Sequence, residues 1–299
     1  MKQAELEIPI KYLLFFCAIS AALILLFIVL FLVKESLPFL AQADLIGFLT
    51  GTSWNPGNKI FGAGIFIAGS LIATTGALAI AIPLGLACAV FLSEVAPKKI
   101  ANMVRPAVEL LAGIPSVILG LFGLIVIVGL IQNDIGKIIN GDPLPTGRGL
   151  LAVSLILGLM VLPVVISVSQ DAIEAVPKTY REGSYALGST KWQTIRYVVL
   201  PAASSGVMAG AILATGRAIG ETVAISLLFG NVIQIPTNIV GTASRGETLT
   251  ATIFNEMGYA SVGSPHYSAL FALGLTLFIM VFILSMVSEK LLSKGRMTR

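Results

Sequence analysis

The chain has 299 residues, of which 56% are hydrophobic and only 11% are charged, with a formal net charge of +4. Soluble domains carry about a quarter charged residues, so this composition excludes a soluble globule and indicates an all-α integral membrane protein. Cys17 and Cys88 both fall in apolar stretches, where they act as small hydrophobes. Neither a disulfide framework nor a metal site is therefore predicted.

Six stretches are long enough to cross about 30 Å of hydrocarbon, which takes roughly 20 helical residues. The first exceeds the apolar core of a secretory signal, and no small-residue cleavage site follows it, so we expect it to be retained. The six predicted spans are Tyr12 to Val33, Phe66 to Leu92, Leu110 to Ile131, Gly149 to Ser169, Ala202 to Gly230 and Ser268 to Ser288.

Basic residues are distributed unequally between the two sides of these spans. By the positive-inside rule, the richer side is cytoplasmic, and both termini are predicted to lie there. That side holds Lys2, Lys11, Lys98, Lys99, Arg105, Lys178, Arg181, Lys191, Arg196, Lys290, Lys294, Arg296 and Arg299. The other side holds Lys34, Lys59, Lys137, Arg148 and Arg245. His266 has no second candidate ligand nearby, and we expect a solvated loop residue.

The third span opens with a stretch that glycine and proline interrupt. Between Glu109 and Ser116, Gly113 and Pro115 stand close to the predicted cytoplasmic end, after a short turn over residues 93–106. Two interpretations are open. The interruption is either a simple kink or a broken helix beside a gate or pathway.

A charged, water-facing segment separates the fourth and fifth spans and reads as helix, turn, helix. Pro177 suits a first helical turn, and Gly188 can end that helix in a left-handed conformation. Thr190 and Gln193 have capping-box spacing. The second helix then places Trp192, Ile195 and Val199 on one stripe and is predicted to stop at Pro201. An amphipathic hairpin on the membrane surface and an ordinary connector are the general alternatives.

This segment resembles the EAA loop of ABC importer permeases. The resemblance is carried by Glu182-Gly183-Ser184, three further residues, Gly188, nine further residues and Val198-Val199-Leu200-Pro201. The usual Glu-Ala-Ala opening is Glu-Gly-Ser here, whereas the glycine spacing and the Leu-Pro end are kept. The resemblance implies a coupling helix that docks on a cytoplasmic ATPase. The coupling residues that it implies are Glu182, Gly188, Trp192, Leu200 and Pro201.

Two charged residues lie near the middle of the fifth span, where each charge costs about 2.5 to 3.5 kcal/mol. At 100° per residue, Arg217 and Glu221 share a face with Gly206, Gly210 and Ala214 and are expected to point into the protein. One interpretation is a buried ion pair that locks helices together. The other is a substrate pathway, because the planar fork of arginine suits a tetrahedral oxyanion and Glu221 could hold the guanidinium between turnovers.

Further stretches narrow the resemblance to the permeases of the phosphate-specific ABC importer. They are Glu94-Val95-Ala96-Pro97, Glu109 to Ser116, Gly216-Arg217-Ala218-Ile219-Gly220-Glu221-Thr222 and Phe229-Gly230-Asn231. The run from Arg217 to Ile225 and the following Phe229-Gly230-Asn231 are closer to the PstC-type subunit than to the PstA-type subunit. Together with the EAA loop, these stretches cover most of residues 62 to 230.

The resemblance implies a six-helix type I importer permease of MetI-like fold in the inner (plasma) membrane. Its implied partners are a second, PstA-type permease, a PstB-type ATPase dimer, an extracytoplasmic PstS-type phosphate-binding protein and membrane lipid, without nucleic acid. Since the chain has no Walker A pattern, ATP and Mg are expected on the ATPase, with no cofactor on this chain. It is expected to be a permease subunit and not an enzyme.

The predicted organisation has three parts. An anchor helix and external loop occupy residues 1–65, the permease core with its coupling loop at 170–204 occupies 66–291, and a cytoplasmic tail occupies 292–299. Two alternatives to phosphate import stay open. One is a permease for another oxyanion, such as sulfate or molybdate, and the other is an ion-coupled secondary carrier that uses Arg217 and Glu221.

Overall fold

A computed structural model describes residues 2–297, with side chains for residues 10–139, 141–287 and 290. Residues 298 and 299 of the predicted tail lie outside the described residues. The helices are α1 Lys2–Leu40, α2 Leu45–Thr50, α3 Gly64–Val90, α4 Lys98–Ala112, α5 Ser116–Phe122, α6 Val128–Leu130, α7 Gly136–Asn140, α8 Leu150–Glu174, α9 Lys178–Ala186, α10 Lys191–Thr194, α11 Leu200–Ile219, α12 Val223–Leu228, α13 Leu249–Glu256 and α14 Pro265–Met297. Strands β1 Trp54–Asn55 and β2 Ile60–Phe61 form an antiparallel hairpin.

The described residues contain six helical spans long and apolar enough to cross a membrane, as the sequence predicts. The spans are Ile10–Leu40, Gly64–Val95, Ser116–Ile139, Leu150–Glu174, Lys191–Ile219 and Pro265–Val287. The third begins later than predicted, and the fifth both begins and ends earlier. Hydropathy locates a span but does not say where glycine and proline break the helix.

Helix α8 lies at the centre of the bundle and packs closely against α3. Ala73, Ala77 and Ala81 of α3 are fully buried. At Gly85 an added Cβ would stand 2.7 Å from a methyl carbon of Val165, so only glycine fits there without displacement. Small residues let membrane helices approach closely and gain dispersion contacts. The α3–α8 pair is therefore the packed core, against which α11 packs, whereas α1 packs against α14.

Three spans contain π-helical turns, which frequently occur at functional sites. They lie at Phe91–Val95 after α3, at Gly123–Ile127 and Ile131–Ile135 in the third span, and at Ile195–Val199 between α10 and α11. The last turn joins α10 to α11 without a stop, so the predicted end at Pro201 is wrong. Pro201 instead lies in the first turn of α11, directly after the π-helical turn.

The interruption in the third span is a true break. Helix α4 ends at Ala112, and α5 begins at Ser116 after Pro115. This supports the broken-helix interpretation over a simple kink, because proline disfavours the helical conformation in the residue before it. Residues 98–106, predicted as part of a turn, instead belong to α4. We call the end of the bundle that carries α4 and α9 the coupling end.

The opposite end, which carries β1, β2 and the start of α14, is called the hairpin end. His266 is not a solvated loop residue, because its Nε2 lies 2.7 Å from a carboxylate oxygen of Glu256. The indole Nε1 of Trp54 donates to the same oxygen at 2.9 Å, and the imidazole stacks on Phe61. The prediction failed because Trp54 and Glu256, far apart in sequence, meet only in the fold.

Candidate translocation and coupling sites

Helix α11 ends between the two charged residues of the fifth span. Ile219 is its last residue, Gly220 caps it, and Thr222 adopts non-helical dihedrals before α12 starts at Val223. The predicted continuous helix from Ala202 to Gly230 is therefore wrong. Arg217 lies on α11, whereas Glu221 lies in the break.

Glu221 bonds to the structure around the break and not to Arg217. Its Oε1 accepts from the amide of Ala224 at 3.3 Å, at the positive amino end of α12, where a carboxylate is stabilised. Its carbonyl oxygen accepts from Thr250 Oγ1 at 2.8 Å. Among the described side chains no ion pair joins Arg217 to Glu221. Residues four positions apart lie side by side only in a continuous helix, and α11 ends between Arg217 and Glu221.

Arg217 is exposed on the open face of α11. Within the described part of the chain it makes no ion pair and no hydrogen bond through its guanidinium. The buried face of α11 carries Gly210, Ala214 and Ala218, so the expectation that Arg217 points into this chain is wrong. A charge in a membrane span almost always faces a bundle interior, a water-filled cavity or a partner group. The open face therefore indicates a polar path or a second chain beside Arg217.

The two interrupted spans meet side by side. A Cβ added to Gly120 of α5 would stand 3.1 Å from Cα of Ala224 and 3.0 Å from a methyl carbon of Leu227, both on α12. The break before α5 and the break before α12 thus belong to one packed region. Broken helices that line a pathway are the usual plan of membrane transport sites.

A buried polar network lies behind the break, and the sequence analysis missed it. Glu247 is 6% exposed, and its Oε1 accepts from Asn255 Nδ2 at 3.1 Å. Asn255 Oδ1 in turn accepts from Ser226 Oγ of α12 at 2.8 Å. Burial raises the pKa of Glu247, and the nearby charge of Glu256 adds to that rise, whereas the hydrogen bond from Asn255 opposes it. Thr248, which caps α13 through the amide of Ala251, was the sequence signal that a helix starts here.

The segment between α8 and α11 has the predicted helix, turn, helix form. Gly188 has φ +84°, the left-handed conformation expected after α9. Thr190 and Gln193 form both hydrogen bonds of the capping box. Of the predicted stripe, Ile195 and Val199 are buried. Trp192 is 61% exposed.

An exposed aromatic and apolar surface covers this segment. We call it the coupling patch, and it comprises Tyr180, Tyr185, Leu187, Trp192 and Tyr197, with exposures from 44% to 88%. Exposed patches of this kind mark interaction sites. Of the predicted coupling residues, Glu182 and Gly188 lie exposed beside the patch, whereas Leu200 and Pro201 lie in the first turn of α11. Arg181, which the sequence analysis did not single out, anchors α9 through a buried ion pair with Glu94.

Comparisons with known proteins identify the class of protein to which this chain belongs. A sequence model of binding-protein-dependent transport system inner membrane components matches residues 81–296. The phosphate transport system permease protein PstC of Mesorhizobium japonicum is 39% identical over 259 residues, which cover 83% of this chain and 78% of that protein. The probable ABC transporter permease protein YqgH of Bacillus subtilis is 40% identical over 253 residues, covering 84% and 79%.

The fold has a match among solved structures. A bacterial ABC transporter involved in the import of the acidic polysaccharide alginate aligns with a TM-score of 0.60 at 16% identity, covering 92% of this chain and 95% of that chain. The six spans are thus those of a type I ABC importer permease, a multi-pass inner membrane protein. The chain belongs to the family of binding-protein-dependent transport system inner membrane components. The predicted fold class and resemblance are confirmed, and the orientation of the termini stays a prediction.

Proposed function

We propose that this chain is a permease subunit of an ATP-driven importer of inorganic phosphate. Its similarity to a phosphate transport system permease over most of its length is the observation that carries the proposal. The exposed guanidinium of Arg217 supplies the chemistry that such a substrate needs. Glu182, Gly188, Trp192, Leu200 and Pro201 couple the subunit to an ATPase.

Arg217 suits phosphate because its planar fork donates two parallel hydrogen bonds and stays charged at every physiological pH. Its guanidinium is not occupied by Glu221, whose Oε1 accepts from the amide of Ala224. An arginine already paired with a carboxylate would have to break that pair for every anion. The observed arrangement leaves the fork available, while Glu221 lies close by in sequence and limits the local excess of positive charge.

The coupling patch suits an ATPase partner. Exposed aromatic side chains on a short, capped helix pair present a rigid apolar surface of the kind that anchors protein interfaces. The proposed assembly contains a second homologous permease, a cytoplasmic ATPase dimer and an extracytoplasmic phosphate-binding protein. ATP and Mg bind to the ATPase, and this chain takes no cofactor. The second permease covers the open face of α11.

Import of sulfate or molybdate requires the same oxyanion chemistry at Arg217 and differs only in substrate. Family membership does not favour a secondary carrier, which has no use for a docking surface such as the coupling patch. The two kinds of alternative therefore need different tests.

Reconstitution tests the proposal directly. The chain is assembled in proteoliposomes with the partner subunits encoded beside it, and ATP-dependent uptake of labelled phosphate, sulfate and molybdate is compared. We expect uptake of phosphate that needs both ATP and the ATPase. Greater uptake of sulfate or molybdate would replace the substrate. Uptake driven by an imposed ion gradient, without the ATPase, would contradict the ABC mechanism.

A further inference from the structure

A largely buried ion pair joins helix α9, which carries part of the coupling patch, to the second membrane span. Arg181 lies on α9, and Glu94 lies in the π-helical turn Phe91–Val95 that ends that span. Arg181 Nε donates to Glu94 Oε1 at 3.0 Å, and Nη2 donates to the same oxygen. The two side chains are only 18% and 8% exposed. Removing one partner from such a pair leaves an uncompensated buried charge, so the two residues act as a unit.

The same guanidinium also binds the end of α8. Nη1 donates to the carbonyl of Val176 at 2.6 Å, and Nη2 donates to the carbonyl of Ile173 at 2.9 Å. Carbonyls at a helix end lack partners within the helix, and a cation there is favoured by the helix dipole. Arg181 thus ties α9 to the ends of two spans that form the packed core. A lysine could not make all of these bonds, because it lacks the fork.

Helix α9 has few other attachments. Ser184 is its buried residue, and the Ser184 hydroxyl lies 2.9 Å from Thr194 Oγ1 of α10. Tyr185 and Leu187 are exposed, and Tyr180 lines a cleft with residues of α8 and α11. Arg181 is therefore a direct side-chain link from α9 to the second span, whereas Trp192 and Tyr197 of the coupling patch are continuous with α11.

The end of the second membrane span, where Glu94 lies, has room to rearrange. The hydroxyl of Ser93 is buried and has no hydrogen-bond partner among the described residues. A cleft of about 440 Å³ opens beside it, lined by residues that include Glu94, Glu174, Lys178 and Arg181. An orphan hydroxyl within a π-helical turn is a place where a second set of hydrogen bonds can form.

We propose that the Arg181–Glu94 ion pair is the joint through which movement of α9 is transmitted to the second membrane span. Arg181 is then a positioning residue for coupling and does not contact the substrate. The inference rests on the proposed function, since it assigns a role within an ATP-driven cycle. It adds a contact inside this chain to the docking contacts between chains.

The first test measures coupling in the reconstituted complex. We expect Glu94→Ala to lower phosphate uptake per ATP hydrolysed about tenfold, the size expected for losing a charge-assisted hydrogen bond, while ATP hydrolysis per assembled complex persists. Arg181→Lys should give a similar loss, and the double variant should lose no more than either single one, since both remove the same link. An unchanged ratio in Glu94→Ala, or equal falls in uptake and hydrolysis, would overturn the proposal.

A matched control removes a different acidic partner at the same end of the bundle. Asp171 accepts from Arg105 at 2.9 Å, but this pair joins α4 to α8 and both side chains are exposed, at 68% and 45%. Asp171→Ala should therefore leave the coupling ratio unchanged. A loss equal to that of Glu94→Ala would assign the effect to general charge removal and would contradict a specific joint.

A second measurement does not depend on the substrate. Spin labels are placed at Thr179→Cys on α9 and Leu84→Cys on α3, two exposed positions, after replacement of Cys17 and Cys88 by serine. With the joint intact, the label distance should stay narrow with and without ATP. In Glu94→Ala it should broaden. Equal distributions would refute the joint even if phosphate is transported, whereas absent phosphate uptake by the unmodified complex would refute only the proposed function.

Discussion

Two glycines of α11 serve opposite purposes. A Cβ added to Gly206 would stand 2.3 Å from Cβ of Ala172, so glycine lets α11 lie directly on α8. A Cβ at Gly216 would meet nothing within 4 Å, and Arg217 beside it is exposed. The surface at Gly206 is a finished interface within this chain. The surface at Gly216 and Arg217 is open.

This difference shows what a stripe of small residues does and does not say. Small residues permit close approach, but they do not tell whether the approaching surface belongs to the same chain, to another subunit or to a water-filled path. The position of the charge distinguishes these possibilities, because a guanidinium that faces lipid costs free energy. The open surface of α11 that carries Arg217 is therefore the surface that the proposed second permease or the pathway completes.

The largest effect is expected from Arg217→Lys, which keeps the charge but removes the bidentate fork. Losing one charge-assisted hydrogen bond corresponds to about tenfold or more, so ATP-dependent phosphate uptake should fall at least that far. Assembly should be normal, since Arg217 has no ion pair in the described part of the chain. Uptake is measured in proteoliposomes and divided by the amount of assembled complex.

Arg148→Lys is the matched control, because Arg148 is exposed in the loop before α8 and should tolerate the change. Arg217→Ala and its combination with Glu221→Gln separate the pathway from a structural pair. A low yield of folded Arg217→Ala that the double variant restores, together with transport, would show that the two charges pair in the membrane after all.

Leucine at Gly206 or at Gly216 tests the comparison itself. At Gly206 leucine must displace α8, and overpacking of this kind costs about 1–3 kcal/mol or more. The yield of folded chain, measured by size-exclusion chromatography of the singly expressed permease, should fall. Gly216→Leu should leave that yield unchanged and instead impair association with the second permease or uptake. Equal loss of folded chain at both positions would mean that the surface at Gly216 is packed within this chain.

Valine at Gly188 tests the coupling segment through backbone geometry alone. A side chain added at Gly188 or at Gly183 meets nothing within 4 Å, but only Gly188 has a positive φ. The left-handed conformation costs other residues about 1–2 kcal/mol, which corresponds to a factor of about 5–30. Gly188→Val should weaken binding of the ATPase by that factor in a pull-down titration, whereas Gly183→Val should not. Equal binding would remove the support for a fixed turn.

Local signals predicted the parts of the structure that short segments determine. The length of the apolar stretches predicted the six membrane spans. Gly188 and the Thr190–Gln193 capping box predicted the helix, turn, helix form of the coupling segment. Each feature depends on residues a few positions apart. The sequence was read correctly there because tertiary contacts did not have to be known.

Distant contacts were the ones that sequence reasoning missed. The end of α11 at Ile219 depends on Glu221 bonding to α12 and Thr250, and periodicity alone continued the helix. The Arg181–Glu94 pair joins residues 87 positions apart, and Trp54 meets Glu256 across 202 positions. Hydrogen-bond partners at such separations do not follow from spacing or propensity.

The smallest effect of a substitution is expected at Glu247. This residue is buried behind the break between α11 and α12, whereas Arg217 is exposed. Burial raises the pKa of Glu247, so folding favours its neutral form. The stability that this provides is fully present below the pKa of the unfolded chain and is lost as the pH rises through the raised value. Glu247→Gln keeps the neutral shape and can still accept from Asn255.

We therefore expect the detergent-solubilised Glu247→Gln variant to melt a few degrees above the unmodified protein at pH 8, with the difference shrinking towards acid pH. Asp134→Asn is the control, because Asp134 is exposed and its replacement should leave Tm nearly unchanged. A Glu247→Gln variant that melts lower at pH 8 would show that the carboxylate is charged and stabilised by a partner. The buried side of the break would then hold a charge, as the exposed side does at Arg217.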